Sequence, residues 1–324
     1  MTWSNGTLDG KEEVVGDVAP RVRVARSLSP KRVIDGDVII DSWFFGAKEL
    51  LFKKGARLIF SANAMTKRSE LFIVADTIVV EDGVGTITCQ YLPIPDQVER
   101  GQAATGSKGQ GEGANGIGGT NGLEGVEGIK GQNAPDITLF VQTLSGTGNL
   151  EINLKGATGG TGGRGQKGGD GGAGEQGSAA RQSRQDTFLG TVWLPSCEAG
   201  PGYGGRGGSG GIGGKGGKGG AGGKGGTVTI CADPDNLQIF TQSVNVVVEG
   251  GVGGEGGEGG FGGEGGLGGP EGQLASFCNS AGRGGDEGTK GSDGGHGEKG
   301  ETAGSGSQFV VGIPRSSFND WFGN

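Results

Sequence analysis

The chain has 324 residues, 81 of them glycine, with only 31% hydrophobic and 6% aromatic residues. Globular proteins average roughly 7% glycine, so an ordinary Leu/Ile/Val core is excluded for most of this length. The net charge of -8 excludes the basic face of a nucleic-acid-binding domain, and no apolar run approaches the ~20 residues of a membrane span.

Residues 1–32 read as a polar N-terminal arm with a short strand candidate at 21–26 (RVRVAR). The opening MTWSNGTLDG lacks a basic n-region and an apolar h-region, so no signal peptide is expected. Residues 33–98 read as a β-rich base. Strand candidates at 38–40, 50–52, 57–60, 71–74, 77–80 and 86–89 are rich in Val, Ile and Phe and punctuated by Gly, Asp and Lys. Such turn-then-strand text fits a β-solenoid-like base, with a β-sandwich as the alternative.

From 99 to 324 the text is a glycine-rich region interleaved with strand candidates at 137–143, 150–154, 228–231, 237–242, 244–248 and 309–313. Glycine recurs every third residue from Gly113 to Gly131, Gly156 to Gly177, Gly204 to Gly225, Gly250 to Gly268 and Gly282 to Gly300. A period of three matches a polyproline II helix, whose backbone N–H and C=O groups have no partner within their own helix and must bond sideways when buried. Collagen also repeats every three residues, but it needs abundant proline, and this chain has 10. The third and fourth blocks are Gly-Gly-X, which supplies two contact faces. They are therefore expected inside, with the single-glycine first and fifth blocks at the edges. The fold expected is mainly β with polyglycine II helices: the base plus an antiparallel up-and-down bundle of about five such helices. Strands would gather at one end and the loops 178–199 and 270–281 at the other. Setting Thr227 opposite Val252 would face Lys224 with Glu255, Lys215 with Glu264 and Ile212 with Leu267.

The up-and-down path places Cys89 and Cys231 at the strand end and Cys197 and Cys278 in the far loops. It predicts the bridges Cys89–Cys231 and Cys197–Cys278, with four free thiols as the alternative in a reducing compartment. There is no CxxC spacing for a zinc site, and GxGxxG matches are unavoidable in such text, so neither metal nor cofactor is expected. The single histidine, His296, sits at an X position with no triad partner in view. Asp35, Asp37 and Asp41, and Asp76, Glu81 and Asp82, are clustered carboxylates that a glycosidase could use, but Asp also favours turns. The chain is read as no enzyme.

Phe188, Trp193, Tyr203 and Phe277 lie in or beside the far loops, with Arg181, Arg184 and Arg283 close by in sequence. Aromatics and Arg are the residue types enriched in binding hot spots, so these residues are receptor-binding candidates; a cap sealing the bundle end is the plainer reading. Phe318, Trp321 and Phe322 are candidates for assembly with another subunit or a fibre.

The segments GYGGRGGSGGIGGKGGKGGAGGKGG (202–226) and GGVGGEGGEGGFGGEGGLGG (250–269) resemble the receptor-binding tail-fibre adhesins of T-even-like phages. The resemblance covers about the last two thirds of the chain. It implies a fibre-attachment end, a tip whose loops contact a protein or glycan on a cell surface, and an extracellular or virion-surface location. Two departures are the heavily charged X positions and an N-terminal β segment unlike that family's Trp-rich attachment domain. Glycine-rich springtail antifreeze proteins share the helix type, but their ice face is uncharged. The function expected is a non-enzymatic adhesin, with a structural subunit of an extracellular filament or matrix as the alternative.

Overall fold

A computed structural model of the chain describes residues 4–5, 30–68, 70–185, 194–278 and 282–316. The strands are β1 (Ser4–Asn5), β2 (Lys31–Ile34), β3 (Asp37–Ile40), β4 (Phe44–Phe52), β5 (Arg57–Phe60), β6 (Glu70–Val80), β7 (Val84–Cys89), β8 (Asp136–Gly146), β9 (Asn149–Asn153), β10 (Arg181–Gln185), β11 (Leu194–Ala199), β12 (Val228–Ala232), β13 (Val244–Val247) and β14 (Gln308–Gly312). The helices are α1 (Ala62–Lys67) and α2 (Leu237–Ser243), the latter preceded by a 3-10 turn at Pro234–Asn236.

Successive strands are dealt alternately to two parallel sheets. The first has the order β1-β14-β12-β8-β6-β4-β2 and the second β13-β9-β7-β5-β3. Register is continuous across the first sheet: Ile73 pairs with Leu139, Leu139 with Ile230, and Ile230 with Val310. The sheets share one core, in which Leu50, Phe52, Ile78 and Val80 from the first meet Leu58, Phe60, Ile87 and Ile152 from the second. A smaller cluster of Phe72, Val74, Phe140, Cys231, Val311 and Ile313 covers the other face of the first sheet, with Trp43 and Phe44 packed against it. Two-sided burial of this kind is what lets parallel strands carry near-continuous apolar runs such as VVEDG-flanked β6.

The glycine segments carry neither helix nor strand. They are extended and bonded side by side, with one lateral N–H···O=C bond to a given neighbour every third residue. Segments 101–111, 155–178 and 249–272 run parallel to one another, as in Gly106 N–H to Asp170 O and Gly159 N–H to Val252 O. Segments 113–134, 202–227 and 284–306 form a second parallel layer, as in Gly122 N–H to Ile212 O and Gly210 N–H to Thr289 O. Between layers the bonds are antiparallel, as in Gly217 N–H to Gly163 O and Gly260 N–H to Gly214 O. In 202–227 the two glycines of each triplet serve different neighbours: Gly207 donates to Asp286 and Gly208 to Gly172, while Ser209 faces outward. The close approach is what excludes side chains. A Cβ on Gly214 would sit 1.9 Å from Leu123 O, and one on Gly217 would sit 2.0 Å from Val126 O.

This arrangement corrects the expected solenoid-like or sandwich base carrying an antiparallel bundle of about five polyglycine II helices. The strands between and after the glycine segments join the same two parallel sheets as those before them. The α-helices that lie wholly among the described residues are α1 and α2, each of two turns or fewer. Among the described residues the glycine segments are extended chain, six in number with 101–111 included, and they have parallel as well as antiparallel neighbours. The strand expected at 237–242 is α2. Asp233 accepts from Asp235 N–H, Pro234 opens the turn, and Phe240, three residues after Leu237, is fully buried. The separate strands expected at 71–74 and 77–80 are one, β6.

The expected ion-pair register is corrected as well. Gly260 bonds Gly214, which slides the two segments about five residues from the expected alignment. Their X rows also belong to different layers and face opposite sides. Glu264 pairs with Lys290 at 2.7 Å and Glu255 with Lys299 at 2.5 Å, while Lys215 and Lys218 reach Glu298 and Glu301.

Candidate functional site: the far end of the glycine layers

All strands of the two sheets lie at one end of the glycine segments, and the turn at 111–113, the 178–201 connection and the 273–283 connection lie at the other. The 178–199 stretch, expected as a loop without strands, holds the antiparallel hairpin β10–β11. A bulge between Arg181 and Gln182 lets Arg181 face Ala199 while Gln182 faces Cys197. Ser183 Oγ and Ser196 Oγ are 2.9 Å apart across the pair.

The hairpin is fastened to the 270–278 segment. Gly177 N–H donates to Pro270 O, Ala180 N–H to Gln273 O, and the Gln176 amide to Glu271 O. With its amide oriented to satisfy both, Gln182 accepts from Phe277 N–H at 3.0 Å and Ser276 N–H at 3.1 Å. Cys197 and Cys278 form a disulfide across 81 residues of sequence. The turn Ala275–Cys278 closes with Cys278 N–H on Ala275 O. The result is a short held turn that leaves Leu274 and Phe277 more than half exposed. Beside it a groove of about 370 Å³ is lined by Glu112, Glu175, Gln176, Ala179 and Gln273. The hydrogen bond from Lys108 holds the Glu175 carboxyl below its ordinary range.

Of the receptor-binding candidates, Arg181, Tyr203, Phe277 and Arg283 are exposed at this end. Tyr203 is 72% exposed, and Arg283 is engaged with Asp286 at 3.7 Å. Arg184 lies in β10 with its side chain outside the description, and Phe188 and Trp193 lie outside the described residues. So do the assembly candidates Phe318, Trp321 and Phe322. Leu274 and Gln182 belong to the site but were not singled out from sequence. The text QLASFC flanked by glycine triplets was the available signal for Leu274.

The second expected bridge does not form: Cys89 and Cys231 are not joined in a disulfide. Cys231 lies in the cluster on the outer face of the first sheet, whereas Cys89 ends β7 in the second sheet and packs against the shared core. Burial, opposed by a hydrogen bond with Tyr91, pushes the Cys89 thiol up to about 11.

Four of the clustered carboxylates are engaged at or beside strand ends. Asp37 pairs with Arg57, Asp35 with Lys53 and Asp82 with Lys54, and Asp41 accepts from Ser61 Oγ. Asp76 is buried within β6. His296 is exposed, and no group of three or more His, Cys, Asp or Glu among the described residues could hold a metal ion. No helix among the described residues is long and apolar enough to cross a membrane, and the disulfide fits an extracellular setting. No protein-family model matches the chain, and no curated protein matches it.

Proposed function

We propose that the chain is a non-enzymatic adhesin, displayed outside the cell or on a virion surface, that meets a protein or glycan on a cell surface through the far end of its glycine layers. The observation that carries this reading is the Cys197–Cys278 bridge. It locks two connections together at the end away from the sheets and holds Phe277 out in solvent. A stiff scaffold presenting loops is a recurrent binding plan, and an aromatic held in place gives up little conformational entropy on binding. Retention of labelled protein on a panel of bacterial cells tests it. Replacing 274–277 by Gly-Ser-Gly-Ser, or reducing the bridge, is expected to lower retention at least tenfold while the sheets stay folded. Retention unchanged by both overturns the reading.

The alternative is a structural subunit of an extracellular filament. It is favoured by β2 and β3, which end the two sheets with no further strand beside them among the described residues. An open parallel edge is a ready surface for another copy. Growth of particle mass with concentration in light scattering would support it, and a monomer at all concentrations would remove it.

A further inference from the structure

The outer face of the 113–134, 202–227 and 284–306 layer carries a repeated device. Asn115, Asn121, Asn133 and Asp136 each turn a side-chain oxygen onto the outward backbone N–H found 91 residues later, on Arg206, Ile212, Lys224 and Thr227. The position between Asn115 and Asn121 is Gly118. Its partner N–H, on Ser209, has no acceptor among the described residues. The absent side chain leaves a groove of about 390 Å³ lined by Asn115, Gly118, Arg206, Ser209, Gly288 and Thr289.

Gly118 is not a packing glycine. A Cβ there would meet only Ser209 O at 3.2 Å and Ser209 Oγ at 3.3 Å, against 1.9 Å to Gly172 O for its neighbour Gly116. The fold requires glycine at 116 and tolerates more at 118, so the gap is a surface feature rather than a lattice requirement.

The chemistry of the groove is one-sided. Asn115 and Asn121 spend their oxygens on Arg206 and Ile212, which leaves their amide N–H groups as donors. Ser209 adds a backbone N–H. The Arg206 guanidinium has no ion-pair partner among the described residues, whereas Lys215 and Lys218 farther along the row are met by Glu298 and Glu301. Asp286 on the adjacent segment is engaged by Arg283. Tyr203 stands three residues from Arg206 on the same outward row and is largely exposed, an amphipathic ring at the end of the line of donors.

We infer that this groove is a binding site for an anionic saccharide. The acid group sits on Arg206 and the Ser209 N–H, ring hydroxyls meet Asn115 and Thr289, and an adjoining unit lies on Tyr203. Arg is the side chain whose planar donors match a carboxylate or sulfate in two-point fashion. The volume falls at the lower end of the range for small-ligand sites. The site rests on the adhesin reading for its purpose and names the ligand class that reading left open.

The test probes the full chain against a printed panel of uronate-, sialate- and sulfate-bearing oligosaccharides beside neutral oligosaccharides of matching backbone. Acidic members are expected to be retained over neutral ones. Gly118→Asn, which places a clip on Ser209 as at Asn115 and Asn121, is expected to weaken binding at least tenfold with no loss of the cooperative thermal transition. Arg206→Ala, an exposed change with no fold to disturb, is expected to erase the preference for acid. Equal retention of acidic and neutral members, or full retention by both variants, overturns the inference. Cell retention separates the two proposals. Retention that depends on Phe277 without any acidic-saccharide binding sinks the groove and leaves the adhesin. Saccharide binding lost in Gly118→Asn, with cell retention indifferent to Phe277, upholds the groove and sinks the tip.

Discussion

The two sheets and the glycine layers are built from one chain that passes back and forth between them, yet opposite physics holds each. Side chains fill the space between the two sheets, and stability in the sheets comes from apolar area removed from water: Phe52, Phe60, Leu71 and Phe140 are wholly or almost wholly buried. In the glycine layers there is almost no side chain to bury. The segments approach until carbonyl oxygens occupy the places where Cβ atoms would be, and each triplet is tied by lateral N–H···O=C bonds near 2.8 Å. Each such bond contributes only about 0.5–1.5 kcal/mol net, so the layers depend on many bonds in unbroken rows to offset the large conformational entropy of glycine. The lesson is an inversion. In the sheets, removing atoms does harm; in the layers, adding them does.

The sharpest break of that comparison is a pair of glycine substitutions. Gly217→Ala drives a methyl into Val126 O and is expected to cost more than about 4 kcal/mol, beyond the usual range for a point change. Gly295→Ala, whose Cβ would meet nothing within 4 Å, is expected to shift stability by no more than ~0.5 kcal/mol. Thermal unfolding of both decides it, and equal midpoints would show that the layers are looser than these distances. Next in size is Phe60→Ala in the shared core, expected to cost about 3–5 kcal/mol in denaturant titration. A loss near zero would mean that the glycine layers alone hold the fold. A smaller effect tests the outward clips. Asn121→Ala removes the acceptor from Ile212 N–H at a solvent-facing position, and about 0.5–1.5 kcal/mol is expected, read as faster hydrogen exchange at Ile212. The smallest effect is chemical. With its thiol pushed up to about 11, Cys89 is protonated at pH 8, where an ordinary thiol near ~8.5 is partly ionised. Alkylation at pH 8 is expected to run at least ~10-fold slower at Cys89 than at a free cysteine peptide and to accelerate as pH climbs toward 11. Equal rates would show that the wall of the second sheet is open there.

The candidate site was only partly legible for reasons that differ residue by residue. Phe277 and Tyr203 stand out because aromatics are rare in this text; Tyr203 is exposed between glycines that give it nothing to pack on, and Phe277 on the turn tied by Cys278. Cys197 and Cys278 could be paired because the glycine blocks force both connections to one end. The Cys89–Cys231 pairing failed because residues at the same end can lie in different sheets and face different sides. Gly118 was invisible, since one more glycine in a glycine-rich run carries no signal until its neighbours show that the backbone does not need it.

By itself the sequence determined the period of three, the glycine rows, the absence of side-chain filling over most of the chain, and the alternation of glycine text with short apolar strand text. These are local properties, set by which residue can stand how close to a backbone. Tertiary structure decided what the strands paired with, which neighbours each glycine segment took, and the lateral register that brings Lys290 to Glu264 instead of Lys215. A three-residue repeat is satisfied by every shift of three, so the repeat cannot choose among registers. The connections through β8–β9 and β12–α2–β13 choose, because the buried strands at their ends accept only one alignment.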